Sequence, residues 1–248
     1  MNSIHSTNEF DIYQDQRKST IFTITHKNNN NNTTIDLMNI LFNSITKTKI
    51  INNSTLLTQN NETKSILFKA LTVESFEQFK ERHKKINGNT SLPYNSLLNI
   101  IYSLTKQISY LLHNNSKCFY KLENSNILVI DNCKFIYLSY EHLKDVDVKD
   151  NKMIIYRPIS KTTGYISPEL KNAKCIPILF SYKTIFYSLG LLILDSIKNS
   201  EIELSEDTNV SDKLDKLDKL LYIKDTKLYF FLERCLSIDP DKRFLLYV

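Results

Sequence analysis

Glycine is scarce in this sequence, at three in 248 residues, against about 7% in an average protein. The three are Gly88, Gly164 and Gly190, so nothing ahead of Gly88 is a glycine. That excludes a phosphate cradle built on a glycine-rich loop from the first third of the chain. Cys118, Cys133, Cys175 and Cys235 show no CxxC spacing, which argues against a zinc ribbon or a dithiol redox pair. No apolar run approaches the ~18 residues a membrane span requires. The longest, Ile185–Leu194, is interrupted by Ser188 and Gly190. Met1–Phe10 is polar and has no secretory core. The expectation is a cytoplasmic protein with no membrane partner and reduced cysteines.

The net charge is +5 and the pI about 8.8, but the basic residues are dispersed rather than gathered on one element. The nearest thing to a cluster, Lys80, Arg82, Lys84 and Lys85, has Glu77 and Glu81 on the same segment. It reads as a solvated helix face, and no nucleic-acid partner is expected. Hydrophobic content of 42% and charged content of 24% suit a globular chain with a sizeable core.

Ser19–His26 alternates β-branched and aromatic residues and reads as a strand, as do Thr55–Thr58 and Ser65–Thr72. Asn28–Asn32 reads as a loop. Leu37, Met38, Leu41, Phe42 and Ile45 recur at helical spacing over 34–47. Ser75–Ile86 predicts a second helix, stopped at Asn87-Gly88-Asn89. Pro93 then opens a strongly amphipathic helix through Tyr94, Leu97, Leu98, Ile101, Leu104, Ile108, Leu111 and Leu112. Asn126–Ile130 and Lys134–Leu138 suggest a hairpin, and a long polar segment follows. Tyr182–Ile197 is apolar all round and predicts a buried helix. Asp212–Leu220 repeats Asp-Lys-Leu with i,i+4 ion pairs, the pattern of a surface helix. Lys227–Leu236 closes the series before Asp239-Pro240.

Over residues 92–244, five strings fall in a familiar order. Helix Tyr110-Leu111-Leu112-His113 precedes Phe119-Tyr120-Lys121-Leu122-Glu123-Asn124-Ser125-Asn126-Ile127-Leu128. Gly164-Tyr165-Ile166-Ser167-Pro168-Glu169 comes next, then Tyr187-Ser188-Leu189-Gly190, then Cys235-Leu236-Ser237-Ile238-Asp239-Pro240-Asp241-Lys242-Arg243. The second to fifth resemble the H-R-D-L-K-x-x-N-I-L, G-Y-x-A-P-E, S-x-G and C-L-x-x-D-P-x-x-R stretches of protein kinases. The resemblance implies an α+β, protein kinase-like two-lobed fold, one domain over 1–248. Residues 1–74 would be a small, reduced β-rich N-lobe and 75–248 a mainly helical C-lobe. It also implies a buried ion pair between Glu169 and Arg243.

Against that pattern the catalytic residues are missing. Phosphoryl transfer in the family uses a glycine-rich loop, a strand Lys paired to a helix Glu, a catalytic-loop Asp, and an Asp and an Asn on magnesium. No glycine loop exists, and the only acid in 34–47 is Asp36. Lys27 is the candidate strand lysine. The catalytic Asp position is Lys121, and the D-F-G position is Ser139-Tyr140-Glu141. Of the metal ligands only Asn126 remains, and Ile185 replaces an Asp of the central helix. The resemblance therefore implies a pseudokinase, a catalytically inactive domain acting as a protein-binding scaffold or regulator. It implies no catalytic, nucleotide-binding or metal-binding residues, no cofactor, weak or absent ATP binding, and an unidentified protein partner. Two alternatives stay open. One is an atypical active serine/threonine kinase whose carboxylates have moved to Glu123, Asp131 or Glu141. The other is a kinase non-catalytic C-lobe binding module, for which no five-stranded sheet would precede Ser75. In that last reading, segments 75–86 and 212–221 are the first surfaces on which to seek a partner.

Overall fold

The computed structural model describes residues 1–27, 32–51, 54–59, 62–88, 91–160, 163–197 and 223–245. The predicted surface helix at Asp212–Leu220 and most of the Asn28–Asn32 loop lie outside these residues. The architecture is mixed α/β, and every strand pairing is antiparallel.

Ahead of Ser75 stands a five-stranded sheet of β1 (Asn2–Ser6), β2 (Phe10–Gln14), β3 (Ile21–His26), β4 (Thr55–Gln59) and β5 (Glu62–Lys69), in the order β1-β2-β3-β5-β4. Only the last three of these strands are legible in the sequence. Strands β1 and β2 escaped notice because NSIHS and FDIYQ are short and half polar. Period-2 alternation turns one face inward. Ile12 pairs with Ile24, Ile24 with Ile66, and Phe22 with Phe68, and all five are buried. Helix α1 (Asn32–Lys47) packs on β4 and β5 through the buried Met38, Leu41, Phe42 and Ile45.

Helix α2 (Phe76–Asn87) begins with a capping box, in which the Ser75 hydroxyl accepts from Gln78 N–H and the Gln78 side chain accepts from Ser75 N–H. Gly88 ends it in the left-handed conformation at φ 73°. Its basic face is partly committed. Lys80 pairs with Asp195 at 3.0 Å and Arg82 with Glu74 at 2.5 Å. Helix α3 (Tyr94–Asn115) runs through the centre, against α1, β7 (Lys117–Phe119) and the β8–β9 hairpin. Strands β6 (Val73–Ser75), β8 (Ile127–Ile130) and β9 (Lys134–Tyr137) form a three-stranded sheet in the order β6-β8-β9.

The predicted polar segment contains more structure than its composition suggests. Strands β10 (Leu143–Asp147), β11 (Lys152–Ile155) and β12 (Ile178–Ser181) join β7 in a sheet ordered β12-β11-β10-β7, and α4 (Pro168–Lys171) lies between β11 and β12 in the chain. Helix α5 (Thr184–Ile197) is buried at every position except Asp195, as its continuous hydrophobicity predicts. It lies close on α6 (Lys227–Cys235). A Cβ added at Gly190 would sit 2.9 Å from the Cys235 Cβ, so glycine sets that approach. One hydrophobic core runs from the five-stranded sheet through α3 to α5 and α6.

Candidate functional site

The segment from Phe119 to Leu128 links β7 to β8 and is held from across the chain. Leu122 bridges Tyr165, whose N–H donates to the Leu122 carbonyl at 2.7 Å. The approach needs Gly164, which has φ 81°; a Cβ there would meet Glu123 Cγ at 2.5 Å and the Leu122 carbonyl at 2.6 Å. The Tyr165 hydroxyl then donates to Asn124 Oδ1 at 3.1 Å and to Asp195 Oδ2 at 2.9 Å. Two segments that resemble family motifs are thus docked on one another.

Lys121 is buried, and its ammonium donates to Glu123 Oε1 at 2.5 Å. The same oxygen accepts from the Thr163 hydroxyl at 3.0 Å and lies 3.9 Å from His142 Nε2. The Tyr137 hydroxyl accepts from Glu123 N–H at 3.2 Å and is 2.6 Å from His142 Nδ1. A neutral His142 with its proton on Nε2 satisfies both contacts. Burial and the Lys121 charge push the His142 pKa down to about 4, with Glu123 opposing. Burial raises Glu123, but the Lys121 hydrogen bond, His142 and Thr163 outweigh it and hold the carboxyl below its ordinary range. Glu123 is therefore a neutralised anion at pH 7 and a poor proton acceptor.

A second carboxylate reaches the same region from the sheet. Glu9 lies in the turn between β1 and β2 and is 4% exposed. Its oxygens accept from the Ser139 hydroxyl at 2.5 Å, Tyr140 N–H at 2.6 Å and Glu141 N–H at 3.4 Å. The turn is fixed by Thr7, whose hydroxyl accepts from Glu9 N–H at 3.2 Å and Phe10 N–H at 2.9 Å. Lys27 clamps it from the end of β3, donating to the Ser6 hydroxyl and the Thr7 carbonyl, each at 2.5 Å, and pairing with Asp11 at 3.4 Å. Burial drives the Glu9 pKa up to about 7, over the opposing bonds from Ser139 and Tyr140. Beside it, Phe10, His26, Phe42 and Tyr140 pack ring against ring at 5.3–5.9 Å. Tyr140 and His26 also approach at 3.3 Å between hydroxyl and Nε2.

The remaining sequence candidates fall as follows. Lys27 serves the β1–β2 turn, and Asp36 is exposed on α1. Asn126 is buried beside the site, its amide 3.5 Å from Glu123 Oε2. Asp131 is structural: it lies in the β8–β9 turn with Asn132, both at positive φ, and accepts from Leu71 N–H at 2.6 Å and Thr72 N–H at 3.3 Å. Glu141 is exposed, and Ile185 is fully buried in α5. Sequence reading missed Glu9, His26 and His142. No spacing connects Glu9 to Ser139, which is 130 positions away. Among the described residues no group of three or more His, Cys, Asp or Glu side chains is placed to hold a metal ion. No helix there is long and apolar enough to cross a membrane.

The expected ion pair is present, with Arg243 buried and Glu169 half-buried. Arg243 is 0% exposed and grips Glu169 with both forks, at 2.6 and 3.0 Å. Its remaining donors reach the Ser237 carbonyl at 2.7 Å and the Ile238 carbonyl at 2.9 Å. Thr184 donates to Glu169 at 2.6 Å. Burial raises the Glu169 pKa, and the Arg243 and Thr184 bonds overcome this and lower it.

A stretch of 130 residues, 52% of this chain, is 26% identical to the probable LRR receptor-like serine/threonine-protein kinase IRK of Arabidopsis thaliana. The similarity is to a protein kinase. It is distant, and the matched stretch spans 13% of that plant protein's length. No protein-family model matches the chain.

Proposed function

We propose that this chain is a two-lobed, protein kinase-like domain that has exchanged phosphoryl transfer for binding, a pseudokinase acting as a scaffold or regulator in the cytoplasm. Residues 1–74 form its smaller lobe and 75–248 its larger. The observation that carries the reading is the Lys121–Glu123 pair. Where the kinase motif has the carboxylate that accepts the substrate proton, a buried ammonium stands, satisfied by its own neighbour. A lysine there cannot take a proton from a hydroxyl at neutral pH.

Three further features support it. Kinases cover the ATP phosphates with a glycine-rich loop and pair a third-strand Lys with a helix Glu. Here the β1–β2 turn has no glycine and carries Glu9 inward onto Ser139-Tyr140-Glu141, the stretch resembling D-F-G. A carboxyl group in that position crowds the place of the phosphates, and repels them once it ionises as pH rises through about 7. The neighbouring volume holds the rings of Phe10, His26, Phe42 and Tyr140 in place of a Lys–Glu pair. The Glu169–Arg243 clamp, meanwhile, preserves a scaffold contact of the family without serving the chemistry. The five-stranded sheet ahead of Ser75 favours the full domain over a C-lobe-only module.

Transfer of radiolabelled γ-phosphate from ATP, to the chain itself and to a mixed protein substrate, tests this with magnesium and with manganese. The expected result is no transfer above a heat-denatured control. Transfer that disappears in Glu123→Gln or Glu141→Gln would overturn the reading in favour of an enzyme with relocated carboxylates.

A further inference from the structure

Strand β12 is the edge of its sheet, and among the described residues no strand lies on its outer side. Its pairing with β11 fixes which backbone groups are free. Tyr182 N–H donates to the Asn151 carbonyl, and the same register runs on through Phe180–Met153 and Ile178–Ile155. In an antiparallel ladder hydrogen-bonded pairs alternate. The N–H and C=O of Leu179 and Ser181 therefore point away from β11, toward the open side.

The side chains sort with equal clarity. Met153, Ile155 and Phe180 face the core and are buried, while the cross-strand neighbours Ile154 and Leu179 are 41% and 56% exposed. Ile176 and Tyr156 extend the exposed apolar surface at 46% and 72%. Charge around it is predominantly basic, although Asp147 on β10 stands directly across from Lys152. Residues 151–158 and 170–184 contain Lys152, Arg157, Lys171, Lys174 and Lys183 and not one acid. A strand of four residues that follows Pro177 is a poor template for pairing two copies edge to edge. Like charge on both partners also disfavours edge-to-edge pairing of two copies.

We propose that β12 receives an extended, acidic peptide segment of another protein as an added fifth strand. Main-chain bonds to Leu179 and Ser181 hold it, its alternate apolar side chains lie over Leu179 and Ile154, and its carboxylates face Lys152, Arg157 and Lys174. Strand addition supplies affinity through the backbone and selectivity through alternate side chains. A nucleic acid would match the charge but not the N–H and C=O ladder. The inference gives the binding role proposed above a surface and a partner chemistry, and it rests on that reading only in supposing that the chain works by binding.

The test is fluorescence anisotropy of the full chain with the blocked, labelled peptide EVEIEVE. Controls are its basic counterpart KVKIKVK and a version with proline at alternate positions. Saturable binding of the acidic peptide alone is expected. It should weaken ~10-fold in Leu179→Asp, the equivalent of losing one buried apolar side chain. It should weaken similarly in the double variant Arg157→Glu/Lys174→Glu, whose side chains are surface-exposed and lie outside the strands. Equal binding of all three peptides, no saturation, or binding unchanged in both variants would overturn the proposal. So would binding of phosphatidylserine vesicles, abolished by the same variants, with no peptide bound. These outcomes are independent of the phosphotransfer assay, so failure here leaves the pseudokinase reading intact, and the reverse holds.

Discussion

Replacing Glu9 by Gln should erase a pH dependence of stability that the wild-type chain owes to one carboxyl group. Unfolded, Glu9 ionises near its ordinary 4.5; folded, burial holds the proton until about 7. Between those values the folded state binds more protons, so this contribution is fully present below pH 4.5 and is lost as pH rises through 7. At 1.36 kcal/mol per pH unit the gap is worth on the order of 3 kcal/mol. His142 acts with the opposite sign. Its folded pKa, pushed down to about 4 from 6.5, gives stability that is present above 6.5 and lost as pH falls toward 4. The two slopes oppose between pH 4.5 and 6.5, so the wild-type curve alone is uninformative there. The difference between Glu9→Gln and wild type isolates Glu9. Gln loses an acceptor for either Ser139 or Tyr140, a pH-independent cost of about 1–3 kcal/mol. Urea unfolding at pH 5, 6, 7 and 8 should show the variant gaining about 2–3 kcal/mol on wild type from the lowest pH to the highest. A difference that stays constant across the range would refute the claim that burial raises the Glu9 pKa.

Arg243→Ala should cost about 3–5 kcal/mol, because a fully buried side chain with all its hydrogen bonds is removed and the half-buried Glu169 loses its partner; the shift in urea midpoint measures it. Lys121→Met should destabilise by about 1.5–3 kcal/mol through loss of a charge-assisted bond to Glu123. It should also raise the Glu123 pKa, readable from the carboxyl carbon shift in an NMR titration. Gly164→Ala forces a side chain against Glu123 and Leu122 at positive φ, and a loss of at least about 1–2 kcal/mol is expected in thermal unfolding.

What could be read in the sequence was periodic or local. Helices α3 and α5 announce themselves by their apolar spacing, and the ends of α2 by Ser75, Gln78 and Gly88. Glu169 and Arg243 were paired only because two motifs framed them. Strands β1, β2 and β10 were not legible because they are short and half polar, and β11 and β12 because each is four residues set in a segment of mixed polarity. The candidate site was half legible. Lys121 declared a missing acid, but nothing near it in sequence pointed to Glu9, which reaches the site by a turn between two strands that composition conceals. Glu9 is the further carboxyl group at the site that the sequence conceals, held by Ser139 and Tyr140.

Calorimetric titration of the chain with magnesium–ATP tests the central claim most directly. The proposed reading, with Glu9 and an aromatic cluster beside Ser139–Tyr140 and Lys121 already paired, predicts no saturable heat into the millimolar range. A saturable isotherm at micromolar ATP that depends on magnesium would contradict it.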